Sequence, residues 1–493
     1  MYFAFFNRTG LSDKRTVSTA AFILFSAWMI SFPYEGQVLY ALAAERGVNL
    51  GSWMQAAIGT LIIGLLCGIS IRSINLAKRL MLISGAACLA GSLCFFFVPA
   101  SLWPFLLLLL SLGEGIWTAA WGWFFRECTP PGARIKTASS CLASSALLMI
   151  GINLAATHLS PCLGLFLAVL LLLGSLLLAW RLPSEPAEPE SACCPAAFGS
   201  GTGLMGFLCL FILVITINSG LMFSVVTPAF AHLTQLADWY WAVPYIAAIL
   251  AVPRLPRTID RGYILFAAIS MLGLSFLAFM TMGRSATAYL VVDTLLLAAC
   301  GINDLFWWTI LGEMLDFYRN PAKILGIGMA ANLGGVLLGE ILASTAAFSD
   351  NENLPSFIGL AVVCVSLLIL PPLQKKLARQ MKDGRFIILQ ELRIAEDKLV
   401  AVAPMEFNAS IPASTVTIAL EQLQALGLTN RECETALLLL KGYTRQLIAS
   451  ELGIGETTVK THIRNIYNKL EVKNKTELVQ KFRSQKVPPA ANS

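Results

Sequence analysis

Charge is what this sequence has least of. Only 13% of its 493 residues are Asp, Glu, Lys or Arg, against about 25% in an ordinary soluble domain. A chain that faces water throughout is therefore excluded. Histidine occurs three times, at His158, His232 and His462, too far apart in sequence for a metal-ligand spacing. The 12 cysteines are scattered through apolar runs without a Cys-x-x-Cys pair, which argues against a disulfide framework and a zinc site alike. There is no nucleophile–base arrangement, Walker loop or paired carboxylates of the kind a catalytic site needs. Gly201-Thr-Gly203-Leu-Met-Gly206 fits a dinucleotide fingerprint in spelling, but it follows no strand and leads into an apolar helix, so it lacks the required context. No enzyme activity, cofactor or metal is expected.

What the chain has is apolar length. Hydrophobic residues make up 57% of it, and mean hydropathy is +0.71. With roughly 20 residues needed to span a bilayer as a helix, spans are expected near 17–43, 51–71, 80–98, 102–125, 137–158, 161–180, 203–230, 236–252, 262–282, 286–315, 324–347 and 355–373, twelve in all. Charges are sparse before residue 370 and dense after it. The expected fold class is thus all-α: a polytopic membrane bundle followed by a small soluble four-helix domain. Met1–Ser18 is short, holds Arg8, Lys14 and Arg15, and runs straight into the first span, so no cleaved leader is expected.

Loop charges set an orientation. With the N-terminus inside, the inner segments carry Arg8, Lys14 and Arg15; Arg72, Lys78 and Arg79; Arg126, Arg134 and Lys136; Arg181; Arg254, Arg257 and Arg261; Arg319 and Lys323. The outer segments carry only Arg46 and Arg284. This asymmetry places both termini in the cytoplasm. Asn7-Arg-Thr9 and Asn408-Ala-Ser410 are then on the wrong side of the membrane for glycosylation.

The two halves of the apolar region repeat. Arg72-Ser-Ile-Asn75 follows the second span as Arg257-Thr-Ile-Asp260 follows the eighth, and Gly115-Ile116 with Trp121 matches Gly301-Ile302 with Trp307. The shared offset of about 185 positions points to duplication. A Pro- and Glu-rich connector, residues 181–202, separates the halves at about 17–180 and 203–373. Two six-helix halves in parallel repeat resemble the major facilitator superfamily, over about three quarters of the chain. That family usually carries Gly-x-x-x-Asp-Arg/Lys-x-Gly-Arg-Arg after its second span. Here Gly68 is kept, but Arg72 stands in place of the Asp and Asn75 in place of the second Gly.

Residues 374–427 read as a cytoplasmic linker, and residues 484–493 as a flexible tail. Between them lie Leu428-Thr-Asn-Arg-Glu-Cys-Glu434, Gly442-Tyr-Thr-Arg-Gln-Leu-Ile-Ala449, Leu452-Gly-Ile454, Thr458-Val-Lys-Thr-His462 and Ile466-Tyr-Asn-Lys-Leu470. Thr429-x-x-Glu432 is a capping box that opens a helix. A short helix near 444–452, a turn at Gly453 and Gly455, and a helix near 456–470 follow. Val459, Ile463, Ile466 and Leu470 make one apolar stripe, with Lys460, Thr461, Arg464 and Asn468 facing the other way. That is a helix-turn-helix pattern. Asn474-x-x-Glu477 opens a fourth helix, ending near Arg483.

The pattern over 428–483 closely resembles the LuxR/NarL-type helix-turn-helix domain, with Gly455 where Ser is usual. The resemblance implies double-stranded DNA as a partner, bases read by Lys460, Thr461 and Arg464, phosphates approached by Thr444, Arg445, Thr458 and His462, and homodimerisation through the fourth helix, 476–482. It also implies a bacterial inner membrane. Lys469, Lys473 and Lys475 read as solvated surface charges.

An anchor needs one helix; a duplicated bundle implies that something is sensed or moved. Ionisable groups inside spans mark function, and Glu35, between Pro33 and Gly36, leads the candidates for a small-molecule ligand. Glu114, Asp293, Asp304 and Glu340 follow, with Trp117, Trp121, Trp307 and Trp308 as stacking walls. The expected function is a membrane-embedded one-component transcriptional regulator. The alternative is a transporter with an attached regulatory domain, which the departure at Arg72 disfavours.

Overall fold

The computed structural model describes residues 14–34, 36–185, 201–233, 236, 239–255, 261–346, 353–382, 428–440, 448–449, 452, 455–470 and 472. The chain divides into two units, residues 1–397 and 398–493. Among the described residues every regular element is helical. A bilayer core offers no water to satisfy backbone N–H and C=O groups, and a helix satisfies them internally.

The first unit contains α1 (Lys14–Ser31), α2 (Gln37–Glu45), α3 (Gly51–Leu66, extended by a 3₁₀ turn Cys67–Ser70), α4 (Ile74–Cys94), α5 (Trp103–Cys128), α6 (Arg134–His158), α7 (Pro161–Trp180), α8 (Gly201–Leu221), α9 (Ala242–Ala251), α10 (Arg261–Thr281), α11 (Ala286–Met314), α12 (Pro321–Ala346) and α13 (Leu354–Lys382). Among the described residues ten helices, α3–α8 and α10–α13, are long and apolar enough to cross a membrane. Side chains such as Ile83, Phe105, Phe166 and Leu368 point outward from the bundle, as lipid contact requires.

Three expected spans take a different form, among them the eighth, expected at 236–252, which is only the short helix α9. The first is broken: α1 stops at Ser31 and α2 begins only at Gln37. Pro33 cannot continue the helical bonding, and a Cβ on Gly36 would lie 2.0 Å from the carbonyl of Ser31, so only glycine lets the chain fold back this tightly. The third begins at Ile74 rather than near 80, because the Ser73 hydroxyl accepts from the Leu76 N–H and caps the helix before its hydropathy rises.

Equivalent helices pack alike in the two halves. In the first half, Gly115 of α5 meets the Leu61 carbonyl of α3; in the second, Gly301 of α11 meets the Tyr245 carbonyl of α9. The matched glycines therefore do the same job, letting the fourth helix of each half approach the second. Across the halves, α12 packs on α3 and α5, while α6 packs on α9 and α11.

At one end the halves are shut against each other. Gly68 lies against the Ala322 carbonyl and Gly326 against the Leu65 carbonyl, where a Cβ would come within 2.5 Å and 2.3 Å. The Asn320 amide donates to the carbonyls of Gly68 and Ile69, both at 3.0 Å. Arg134, 1% exposed, donates through both terminal nitrogens to Asp316 at 2.6 Å and to the Gly312 carbonyl at 2.7 Å. Arg126 reaches the Tyr318 carbonyl at 3.3 Å and lies over the Trp123 ring. Arg134 is thus not the free loop charge that its position suggests; it is the buried cation of an inter-half pair whose Asp316 is half-buried.

In the second unit, α14 (Asn430–Leu440) and α15 (Glu456–Lys469) pack on each other. Leu428, Cys433, Ala436, Ile448, Ala449, Val459, Ile463, Ile466, Leu470 and Val472 form its core. Most of the short helix expected at 444–452, and the whole of the fourth, lie outside the described residues.

Removing Asp316 leaves the buried Arg134 charge without its counter-ion, at a cost of up to about 3–5 kcal/mol, less as far as water reaches the half-buried end of the pair. Asp316→Ala is therefore expected to lower the melting temperature of the purified protein sharply. The Arg134→Ala/Asp316→Ala double variant should lose less than the two single losses combined. Additive losses would show that the pair does not couple the halves.

Candidate functional site

Between the halves lies a cavity of about 970 Å³, within the size range of small-molecule sites. It reaches the surface beside Gly51, Thr157 and Ala231, which are exposed, at the end of the bundle away from the Arg134–Asp316 pair. The breaks in the helices line it: Tyr34 and Gln37 flank the interruption between α1 and α2. Directly after α8, Met222–Val226 form a π-turn that offers Met222, Phe223, Ser224 and Val226 to the space. Such turns recur at functional sites because they re-aim side chains without ending the helix.

One face of α11 carries most of the chemistry. Tyr289, Asp293, Leu297, Cys300, Asp304 and Trp308 all line the cavity, at the three- and four-residue spacing that keeps a stripe on one side of a helix. Asp304 is held in place: Tyr245 of α9 donates its hydroxyl at 2.8 Å, and the Trp307 indole N–H donates at 3.1 Å. Asp293 is 9% exposed, and its Oδ2 has no hydrogen-bond partner. Glu340 of α12 adds a third carboxylate to the lining. Trp307 and Trp308 stack at 5.5 Å, and Trp308 meets Phe22 edge-on at 5.5 Å to close the floor.

Of the nine residues expected at a ligand site, the structure brings Asp293, Asp304, Glu340, Trp307 and Trp308 together there. Glu35 lies outside the described residues. Glu114, Trp117 and Trp121 do not line the cavity, which corrects the expectation for all three. Aromatic side chains of α1 stand in front of α5: Phe22 covers Trp121 at 4.1 Å, and Phe25 stacks on Trp117 at 3.8 Å. The Trp121 indole N–H is spent on Ser18. Glu114 is fully buried, with neither carboxylate oxygen partnered, and its neighbour Gly113 packs on Cys88 of α4 inside the first half. Tyr245 was not legible as a site residue, because a tyrosine in an apolar run reads as packing. The clue was indirect: an Asp in a span calls for a donor from a neighbouring helix.

In the second unit, the apolar stripe of α15 is buried as its spacing requires, with Val459 and Ile466 at 0% exposure. Thr458, Lys460, Thr461 and Arg464 are exposed, and His462 is half-buried. Thr444 and Arg445 lie outside the described residues. Gly455 is the N-cap of α15, in extended conformation and without a side-chain cap. The capping box at α14 closes by its reach-back arm, the Thr429 N–H donating to Glu432 Oε2 at 2.9 Å. The same oxygen accepts from Lys469 Nζ at 2.7 Å. Lys469 is therefore not simply solvated. It ties the end of α15 to the start of α14 and so fixes the angle at which the exposed basic face is presented. Burial by itself raises the Glu432 carboxyl, but these bonds outweigh it and hold the group at about 2.

Comparison with known proteins assigns both units. Residues 426–482 match the family of bacterial regulatory proteins, luxR family. Over 60 residues, 12% of this chain, the sequence is 43% identical to the HTH-type transcriptional regulator MalT of Vibrio cholerae serotype O1 and 45% identical to that of Yersinia pestis (strain Pestoides F). The chain spans only 7% of the length of these relatives. The C-terminal segment is a LuxR-type, DNA-binding helix-turn-helix domain of the kind found in transcription regulators.

The membrane unit is similar to three solved transporters. Against the human organic anion transporter MFSD10 (TETRAN), the TM-score is 0.57 at 13% identity, covering 73% of this chain and 100% of that one. Against the Escherichia coli fucose:proton symporter FucP it is 0.53 at 12% identity, covering 73% and 98%. Against a bacterial homologue of the iron transporter ferroportin in its outward-facing state it is 0.53 at 15% identity, covering 74% and 99%. The helices before residue 383 thus have the major facilitator fold.

Because the folded Glu432 carboxyl sits below the ordinary ~4.3 of a glutamate, its contribution to stability is complete above that value. It is lost as pH falls toward about 2. Amide exchange protection of α14 and α15 is expected to decline over that window, and Glu432→Gln to flatten the decline. An identical acid profile in the variant would remove Glu432 from the account.

Proposed function

We propose that this protein is a non-enzymatic, membrane-embedded one-component transcriptional regulator. A small ligand entering the cavity biases the arrangement of the two halves, and the helix-turn-helix domain reads DNA on the cytoplasmic side. The observation that carries this reading is the joining, in one chain, of a ligand-sized cavity shut at one end by an inter-half ion pair to a LuxR-type domain whose basic face is exposed.

In this account the bundle has twelve spans: the ten long helices, the broken pair α1–α2, and the short apolar segment Ala242–Arg254 built on α9. The membrane domain covers residues 1–373, with halves at about 17–180 and 203–373 and a connector at 181–202. A linker follows over 374–427, and the DNA-binding domain over 428–483. The excess of Lys and Arg lies at the shut end, so that end faces the cytoplasm and the cavity opens outward across a bacterial inner membrane. Lys460, Thr461 and Arg464 read bases from the major groove. Thr458, His462, Thr444 and Arg445 approach phosphates, and residues 476–482 pair two copies on a two-fold site.

The route for a signal is covalent. Helix α13 packs on α8 and α10 of the second half, lays Lys376 over the Phe207 ring at 4.4 Å, and continues past Leu373 to Lys382 toward the linker. A ligand that binds the two arrangements of the halves with different affinity shifts their populations and carries α13 with the second half. A transporter with an attached regulator would use the same cavity. The regulator is preferred because the charged loop motif of transporters is replaced at Arg72, while the DNA-binding motif is intact.

The test is genome-wide occupancy of the full-length protein in its membrane beside Lys460→Ala and Arg464→Ala. Discrete peaks are expected for the wild type, and each substitution should cost about 1–3 kcal/mol of binding and relax base preference at one position. No peaks under any growth condition, or peaks unchanged in both variants, would contradict the proposal.

A further inference from the structure

The chemistry of the cavity narrows what can occupy it. Three carboxylates, Asp293, Asp304 and Glu340, line it, and among the described lining residues there is no Lys, Arg or His. An anion entering such a space meets the negative charge of Asp293 and Asp304, while a neutral polar molecule leaves these two carboxylates without a counter-charge, which is costly away from water. Asp293 sharpens the point: nine-tenths buried, with Oδ2 unpartnered, it is an acceptor that nothing in the fold satisfies. Asp304 faces the same space with its orientation already fixed by Tyr245 and Trp307. Along α11 the two carboxylates are separated by eleven residues, roughly 16 Å of helix, so they mark an outer and an inner station on one wall. Aromatic rings stand beside both stations, among aliphatic and neutral polar lining residues. Tyr289 and Phe230 meet edge-on at 5.3 Å near the outer station, and the Trp307–Trp308 stack lies beside the inner one. Aromatic faces attract cations, most of all quaternary and protonated amines out of water.

We infer that the ligand of this cavity is an organic cation, an ammonium or similarly charged head carried on an apolar body, with Asp293 receiving the head at the outer station and Asp304 at the inner one. The inference rests on the cavity being the sensing site proposed above. It is tested by direct binding, with no DNA readout, so that it can fail without the regulator reading failing.

Two probes of equal shape and opposite charge decide it, tetraphenylphosphonium and tetraphenylborate, offered to the full-length protein in nanodiscs with empty nanodiscs subtracted. Saturable binding of the phosphonium alone is expected, weakened about tenfold or more by Asp293→Asn or Asp304→Asn. A second readout needs no variant. Cys300 lines the cavity between the two stations and is a free thiol. Its modification, followed on its own peptide by mass spectrometry, should be faster with a trimethylammonium methanethiosulfonate than with the sulfonate analogue, and tetraphenylphosphonium should slow it. Binding of the borate as well as the phosphonium, or a faster reaction of Cys300 with the anionic reagent, would overturn the inference. So would phosphonium binding that both Asn variants, folded and monodisperse, leave unchanged.

Discussion

The pairing of Arg134 with Asp316 is the contact on which the rest of the membrane unit depends. It joins the first helix after the loop in one half to the loop of the other, with both terminal nitrogens of the guanidinium engaged and the arginine removed from water. A buried charge held in this way has two low-energy outcomes: it stays paired, or the surface around it opens to water. Parting the halves at this end therefore requires the guanidinium to lose its partners or to gain water. The cavity exists because the halves meet at this end and diverge toward the other.

The small-residue contacts around the pair belong to the same device. Gly68 and Gly326 allow backbone from opposite halves to touch, and the Asn320 amide ties the same surfaces by donating to the Gly68 and Ile69 carbonyls. Ion pair, amide and glycine contacts thus act together to close this end. The helix-turn-helix unit uses a related arrangement outside the membrane. Glu432, bonded to the Thr429 N–H and to Lys469, turns a helix cap into a strut that sets the pose of α15.

Much of this was legible in the sequence, and what was hidden has a physical reason. Apolar runs located ten membrane-length helices because a bilayer demands them, and the offset between the Gly115 and Gly301 segments revealed a repeat whose packing role is visible in both halves. The apolar stripe of α15 fixed in advance which of its residues are buried. Helix starts set by a hydroxyl cap, as at Ser73, were hidden because hydropathy does not register a cap. Arg134 was taken for a loop charge because its partner lies 182 positions away, and Lys469 for a surface charge because Glu432 lies 37 positions away. Glu114 and Trp121 carry the right chemistry on faces of α5 that do not line the cavity, Trp121 behind Phe22 of α1, while Thr118 of the same helix does line it, which no local pattern discloses.

The central claim is that the state of the membrane unit governs the DNA-binding unit, and the most direct test acts on the pair that sets that state. Genomic occupancy of full-length Arg134→Ala should be compared with wild type at matched protein level in the membrane. The account predicts that occupancy at the protein's own sites changes, in either direction, while the purified variant still unfolds cooperatively and its DNA-binding unit keeps wild-type base preference. Occupancy identical to wild type in a variant whose shut end has become accessible to thiol reagents would mean that the two units work independently, and the regulator reading would lose its sensing half.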